Sequence, residues 1–254
     1  MSDLGAPAGG TISAPVAPAE LPGRGGRRLR RRLGMPLAAV VLAALVGVGG
    51  GVLLAGLHTA GIPERDVQLM SLSDMPAHDQ APGFALEDQH GRHLSLSSFR
   101  GQVVVLEFMD PHCTDICPLV SQEFVDAYRD LGADGHRVAF LAINVNQYHR
   151  STAAMLAFSR EHGLTTIPTW HFFTGPLPLL RSAWAHYGIY VHAPSPTADV
   201  IHSSYIFFIG PGGQERYLAS PTDFHRANGT GYLPPATITQ WGHGIAAVAR
   251  SLLP

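Results

Sequence analysis

Lysine is absent from this 254-residue chain, and cysteine occurs only twice. All 17 basic residues are arginine, a bias of composition that matches the high Ala, Gly and Pro content and signals no mechanism. The formal net charge is −2, and six of the arginines stand before residue 33. The rest of the chain therefore carries no basic surplus, which argues against a nucleic-acid role for it. There is no phosphate loop and no GxGxxG; Gly210-Pro211-Gly212-Gly213 reads as a turn. No Ser/His/Asp set is visible from spacing, and no internal repeat occurs. Histidine is plentiful, with 14 residues, so abundance alone marks none of them as a ligand.

The chain divides by composition. Residues 1–34 are rich in Gly, Ala and Pro and have almost no large apolar residues before Leu29. Such a segment buries too little surface to fold and is predicted to be disordered. It ends in Arg24, Arg27, Arg28, Arg30, Arg31 and Arg32, followed by an uncharged apolar run over residues 35–57. As a helix that run spans roughly 35 Å, enough for a bilayer core of about 30 Å. Arginines against one end of it are a positive-inside signal. The expectation is an uncleaved, single-pass anchor in the cell membrane, with the N-terminus cytoplasmic and the folded part extracytoplasmic. A cleaved signal peptide is the competing reading, but the run is long for one and the residues after it make a poor cleavage site.

Residues 58–80 read as a linker, polar and without a sustained period, leaving residues 81–254 as the folded domain. Phe84–Glu87 and His93–Leu96 suggest a hairpin across a polar turn. Val103-Val104-Val105-Leu106-Glu107-Phe108-Met109, apolar but for Glu107, reads as a buried strand. Leu119 to Leu131 has helical periodicity, and Arg137–Val145 reads as a second strand. Ser151 or Thr152 can cap the next helix. A short strand, Thr169–Phe173, and a helix, Leu179–Tyr187, follow. Ser204–Ile209 and Glu215–Ala219 flank a hairpin turn, and Ile238–Leu253 is a closing helix. Strands alternating with helices predict an α/β layered domain. Residues 220–237, with their Pro, Gly and His225, have no readable purpose.

The chemistry is concentrated in Asp110-Pro111-His112-Cys113-Thr114-Asp115-Ile116-Cys117-Pro118. A strand empties into a cysteine pair at the start of a helix, where the partial positive charge of the helix N-terminus favours thiolate. Thiolates exchange disulfides and bind soft metals. In an oxidising compartment the pair can also form a disulfide. The spacing puts both sulfurs on one side of a helical turn.

The order of elements is thioredoxin-like, with a central mixed sheet flanked by helices. In that fold the loop leading into the closing hairpin lies beside the cysteine helix. Thr166-Ile167-Pro168-Thr169 and Asp199-Val200-Ile201-His202-Ser203 compete for that position. The hairpin turn signal favours the second, which sets His202 beside Cys113 and Cys117. Cys-x-x-x-Cys-Pro after a strand, with a histidine just before the closing hairpin, resembles the Sco (SenC/PrrC) family over about residues 81–219. The resemblance implies a membrane-anchored, thioredoxin-fold protein with Cys113, Cys117 and His202 as copper ligands. It implies receipt and delivery of copper for assembly of cytochrome c oxidase, with some members acting as thiol reductases. The implied partners are an oxidase subunit or another cuproprotein as acceptor, a thiol reductant and the membrane, with no nucleic acid.

Two thiolates and an imidazole suit copper, whereas structural zinc wants a fourth protein ligand that is not evident. The alternative is a membrane-tethered thiol–disulfide oxidoreductase in which Cys113 attacks and Cys117 resolves. Its spacing is unusual, since the common redox motif is C-x-x-C. The family's acidic D-P-x-R-D stretch is replaced by Asn144-Val145-Asn146-Gln147-Tyr148-His149-Arg150. His112 reads as an auxiliary ligand or, more simply, a surface neighbour of the site. Asp110 and Asp115 are candidates for tuning the thiols or orienting His202.

Overall fold

A computed structural model describes residues 61–75, 79–227 and 230–254 of the chain. The predicted disordered segment and membrane anchor, residues 1–34 and 35–57, lie outside them.

The stretch expected as linker is partly structured. Helix α1 spans Glu64–Leu69 and strand β1 spans Ser73–Asp74. β1 pairs antiparallel along the sheet edge, Ser73 opposite Leu218 and Asp74 opposite Tyr217. Met70 between them is fully buried. The folded unit therefore begins before residue 81. One turn and a half of helix and two strand residues are too short to display a period, so only their partners reveal them.

The polar-turn hairpin forms as β2, Ala85–Glu87, against β3, His93–Ser95. Leu96 falls instead in a 3-10 turn, Leu96–Phe99. The apolar run becomes β4, Val103–Met109, with every residue buried. Helix α2 runs Ile116–Leu131, then β5 Val138–Asn144, helix α3 Thr152–Glu161 and β6 Trp170–Phe173. Helix α4, Leu177–His186, leads to a small ribbon of β7, Val191–His192, and β8, Ile201–His202. The closing hairpin is β9, Ile206–Ile209, with β10, Glu215–Ala219. Phe224–His225 and Gly231–Tyr232 form a further ribbon, β11–β12, within the segment that had no readable purpose. Helix α5, Pro235–Ser251, ends the fold.

The main sheet has the order β1-β10-β9-β4-β5-β6. β4, β5 and β6 are parallel, while β9 is antiparallel to β4 and β10 to β9, so the sheet is mixed as expected. Buried on both faces, β4 is apolar at every position but Glu107. Its alternate side chains divide between two cores. Val103, Val105 and Met109 join Phe124 of α2, Phe158 of α3 and Trp241 of α5. Val104, Leu106 and Phe108 join Leu86, Phe99 and the α4 residues Leu180 and Trp184 on the other face. The helices α2 and α5 pack closely because Gly242 has no side chain: a Cβ there would meet Asp126 Cβ at 2.7 Å and Glu123 O at 3.2 Å. This layering holds the end of β4, a central strand of the sheet, and the start of α2 rigidly together beyond the C-terminal ends of the parallel strands, where the cysteines stand.

Candidate metal centre

Helix α2 begins three residues earlier than its periodicity suggested, because Asp115 caps it. The Asp115 side chain accepts the Ile116 N–H at 2.7 Å. Cys117 therefore lies in the first helical turn and Cys113 in the turn before it, so the two do not share a helical turn. Their contact is nevertheless direct. The Cys117 N–H, one of the unpaired donors at a helix start, donates to Cys113 Sγ at 3.3 Å. The Cys113 thiol donates to Asp115 Oδ1 at 2.8 Å. Both cysteines are free thiols, Cys113 half-buried and Cys117 buried.

The hydrogen bond it shares with Cys113 and its own burial push the Cys117 thiol well up, aided by negative charge at Cys113 and Glu107; the Asp110 N–H opposes this. Burial pushes the Asp115 carboxyl up, but the Cys113 and Ile116 donors outweigh it and hold the group below the usual range. Asp115 thus serves as helix cap and as acceptor for the more accessible thiol.

His202 lies on β8, opposite Val191, immediately before the chain enters the closing hairpin. Its Nδ1 donates to the Ser203 carbonyl at 2.9 Å, which leaves Nε2 as the lone-pair nitrogen. Burial lowers its basicity, against the Ser203 carbonyl and the charges of Asp110 and Asp115, so the neutral, ligating form is favoured. The influence of the two aspartates puts His202 within electrostatic reach of the segment that bears both cysteines. Among the described residues no three His, Cys, Asp or Glu side chains are gathered in an arrangement that could hold a metal ion. The donor set itself fits copper: two thiols in contact and one imidazole kept neutral.

Two features next to the cysteines were not legible in the sequence. The first is a bond across the loops. Asn146 Nδ2 donates to Asp110 Oδ1 at 2.9 Å, and that oxygen also accepts the His112 N–H at 2.9 Å. Asn146 Oδ1 accepts the N–H groups of Tyr148 and His149. The departure from the acidic stretch is thus a structural tie to the cysteine loop. The second is the ribbon β11–β12. A Cβ on Gly231 would lie 3.0 Å from Asp115 Cβ, so the ribbon rests on the helix cap only because residue 231 is glycine. Only the amide-bearing stretch after β5, in place of the acidic one, hinted at the first, and nothing hinted at the second.

Residues 73–227 match the SCO1/SenC family model. The chain belongs to the SCO1/SenC family. It is 25% identical over 141 residues to the "SCO1 protein homolog" of Bacillus subtilis (strain 168), covering 55% of this chain and 72% of that one. It is 30% identical over 180 residues to the "Protein SCO2 homolog, mitochondrial" of Bos taurus, covering 68% of this chain and 66% of that one. Among solved structures, the copper-bound ScoI of Bradyrhizobium japonicum aligns with a TM-score of 0.53 at 21% identity, over 68% of this chain and 99% of the other. A SCO1/SenC family lipoprotein from Bacillus anthracis aligns at 0.56 and 18%, over 70% and 98%. These likenesses establish the SCO1/SenC version of the thioredoxin-like fold, as the order of strands and helices predicted.

Proposed function

We propose that this SCO1/SenC chain binds copper through Cys113, Cys117 and His202 and delivers it during assembly of cytochrome c oxidase. The observation that carries the reading is the pair of free, contacting thiols at the start of α2 with a neutral imidazole on the adjoining ribbon. Family membership supports it, as does the Bradyrhizobium japonicum ScoI, which was solved with copper bound. Copper is cargo here, bound by the thiolates and passed on by ligand exchange to an acceptor, a subunit of the oxidase or another cuproprotein. Oxidation of the pair to a disulfide would remove two ligands at once, so a thiol reductant is needed to keep the protein loadable. Cys117, whose thiol is held protonated, would lose its proton as the metal binds, since thiolate is the ligand. The folded domain acts outside the cytoplasm, tethered by residues 35–57.

The test is titration of the full chain, reduced and solubilised in detergent, with copper. A single tightly bound ion is expected, and His202→Ala should weaken it about tenfold or more and change the Cu(II) spectrum. Unaltered affinity and spectrum in the variant would remove His202 from the site.

One asymmetry supports a second reading, a thiol–disulfide oxidoreductase. Cys113 lines an open cavity while Cys117 lies buried behind it, the arrangement of an attacking and a resolving thiol. Turnover of a protein disulfide, with His202 dispensable, would favour it over copper delivery.

A further inference from the structure

Glu107 is the one carboxyl on β4, and it is 1% exposed. A carboxyl buried in a central strand is costly unless its oxygens are partnered. One of them is: the Ser204 hydroxyl donates to Glu107 Oε1 at 2.9 Å. The Phe108 and Tyr205 N–H groups face the same carboxyl, while Oε2 has no hydrogen-bond partner among the described residues. Burial pushes the group well up and outweighs the Ser204, Phe108 and Tyr205 donors, so the carboxyl is held neutral. What it offers the fold is an acceptor oxygen and not a charge.

The place of this bond gives it a role. The β4–β9 ladder stops at Leu106 opposite Phe207. Ser203, Ser204 and Tyr205 lie between β8 and β9, outside any strand. Where backbone pairing ends, the Glu107 side chain holds the incoming chain to β4, the strand that leads on to Cys113. On the other side Ser203 is clamped to the ribbon. Its N–H donates to the Tyr190 carbonyl at 3.0 Å, and its hydroxyl oxygen accepts the Tyr190 N–H at 3.2 Å. The peptide unit between these two anchors carries the Ser203 carbonyl, which accepts His202 Nδ1 at 2.9 Å. Which imidazole nitrogen is free to ligate is set by the hydrogen bond the other one makes.

We propose that Glu107 is a positioning residue: by holding Ser204 it fixes the Ser203 carbonyl, and through that carbonyl the tautomer and ring orientation of His202. Its effect on copper rests on the Cys113/Cys117/His202 reading, whereas its effect on the imidazole does not. Glutamine presents the same acceptor oxygen, so Glu107→Gln preserves the arrangement, while Glu107→Leu and Ser204→Ala each break it.

The experiment uses the detergent-solubilised, reduced full chain at neutral pH with isotope-labelled histidine. Proton–nitrogen correlation spectra report the tautomer of each ring, and the His202 signal is the one lost in His202→Ala. The unchanged chain and Glu107→Gln should show a single Nδ1–H tautomer at His202. Glu107→Leu and Ser204→Ala should show a mixture of the two forms. Titrated with copper, the same two variants should bind about tenfold more weakly, and the double variant no more weakly than either, because both changes remove one link. Ser204 is half-buried and outside the strands, so Ser204→Ala keeps the test decisive if Glu107→Leu folds poorly. A His202 tautomer unaltered in Ser204→Ala, or a Glu107→Gln chain that behaves like Glu107→Leu, would overturn the positioning role. An unaltered affinity beside an altered tautomer would overturn its part in copper binding. If the unchanged chain bound no copper at His202, the delivery reading would fall, while the tautomer spectra would still decide the role of Glu107.

Discussion

At the residue scale, the two cysteines have different jobs although they are in contact. Cys113 is half-buried and borders two cavities; Cys117 is buried, 2% exposed, with its thiol pushed up by Cys113 and by the surrounding core. Thiolate and access together set alkylation rates. Brief treatment of the reduced chain with iodoacetamide at neutral pH should therefore modify Cys113 and spare Cys117, as read by peptide mass spectrometry. Equal labelling of both would contradict this asymmetry. Asp110 and Asn146 help to aim the site without being thiols or imidazoles. Their bond is nearly out of solvent, with Asp110 5% and Asn146 3% exposed, so its two ends cannot be satisfied by water instead.

At the scale of elements, the start of α2 is the point on which most of the site depends. Asp115 caps the helix, accepts the Cys113 thiol and supports the β11–β12 ribbon through the close approach of Gly231. Asp115→Ala removes the cap and should cost about 1 kcal/mol, read as a lower urea midpoint with an unchanged slope. The same change leaves the Cys113 thiol without its acceptor. A midpoint equal to that of the unchanged protein would show that the cap adds nothing. The sheet edge makes a comparable point: β1 is only two residues long, yet it covers β10, whose outer backbone groups would otherwise be open to pairing with another chain.

At the scale of the whole molecule, buried carboxyls govern how stability changes with pH, and they act in opposite directions. Burial pushes Asp88 up, but Arg92, His171 and the His90 and Arg92 N–H groups outweigh it and lower it to about 2. Its carboxylate takes Arg92 Nε at 2.8 Å and His171 Nδ1 at 3.0 Å, pinning the β2–β3 turn to β6. The folded value is below the unfolded one. Its contribution, about 2 kcal/mol, is therefore fully present above about pH 4 and is lost as pH falls through about 2. Glu107 and Glu123 are raised by burial, so their contribution runs the other way: present at low pH and lost as pH rises through their elevated values. Urea midpoints should rise between pH 2 and 4 in the unchanged chain and rise distinctly less in Asp88→Asn. An equal rise in both would exclude Asp88 as the group responsible.

Much of this protein was legible from residue order alone. Val103–Met109 and the runs at 138–144 and 206–209 are apolar, save for Glu107 and Asn144, because both faces of a central sheet are covered, and that property is written into each segment by itself. The same holds for the position of Cys113 and Cys117 after β4, and for the turn that announces the β9–β10 hairpin. What the tertiary structure decided is of another kind. The addition of β1 to the sheet, the tie of Asp110 to Asn146 across 36 residues, the seating of Gly231 on Asp115 and the facing of His112 and His149 each join distant segments through one or two contacts. Such contacts impose no period on either partner. A buried strand is determined by its own composition, whereas a hydrogen bond or a ring contact exists only when the fold brings its second member into place.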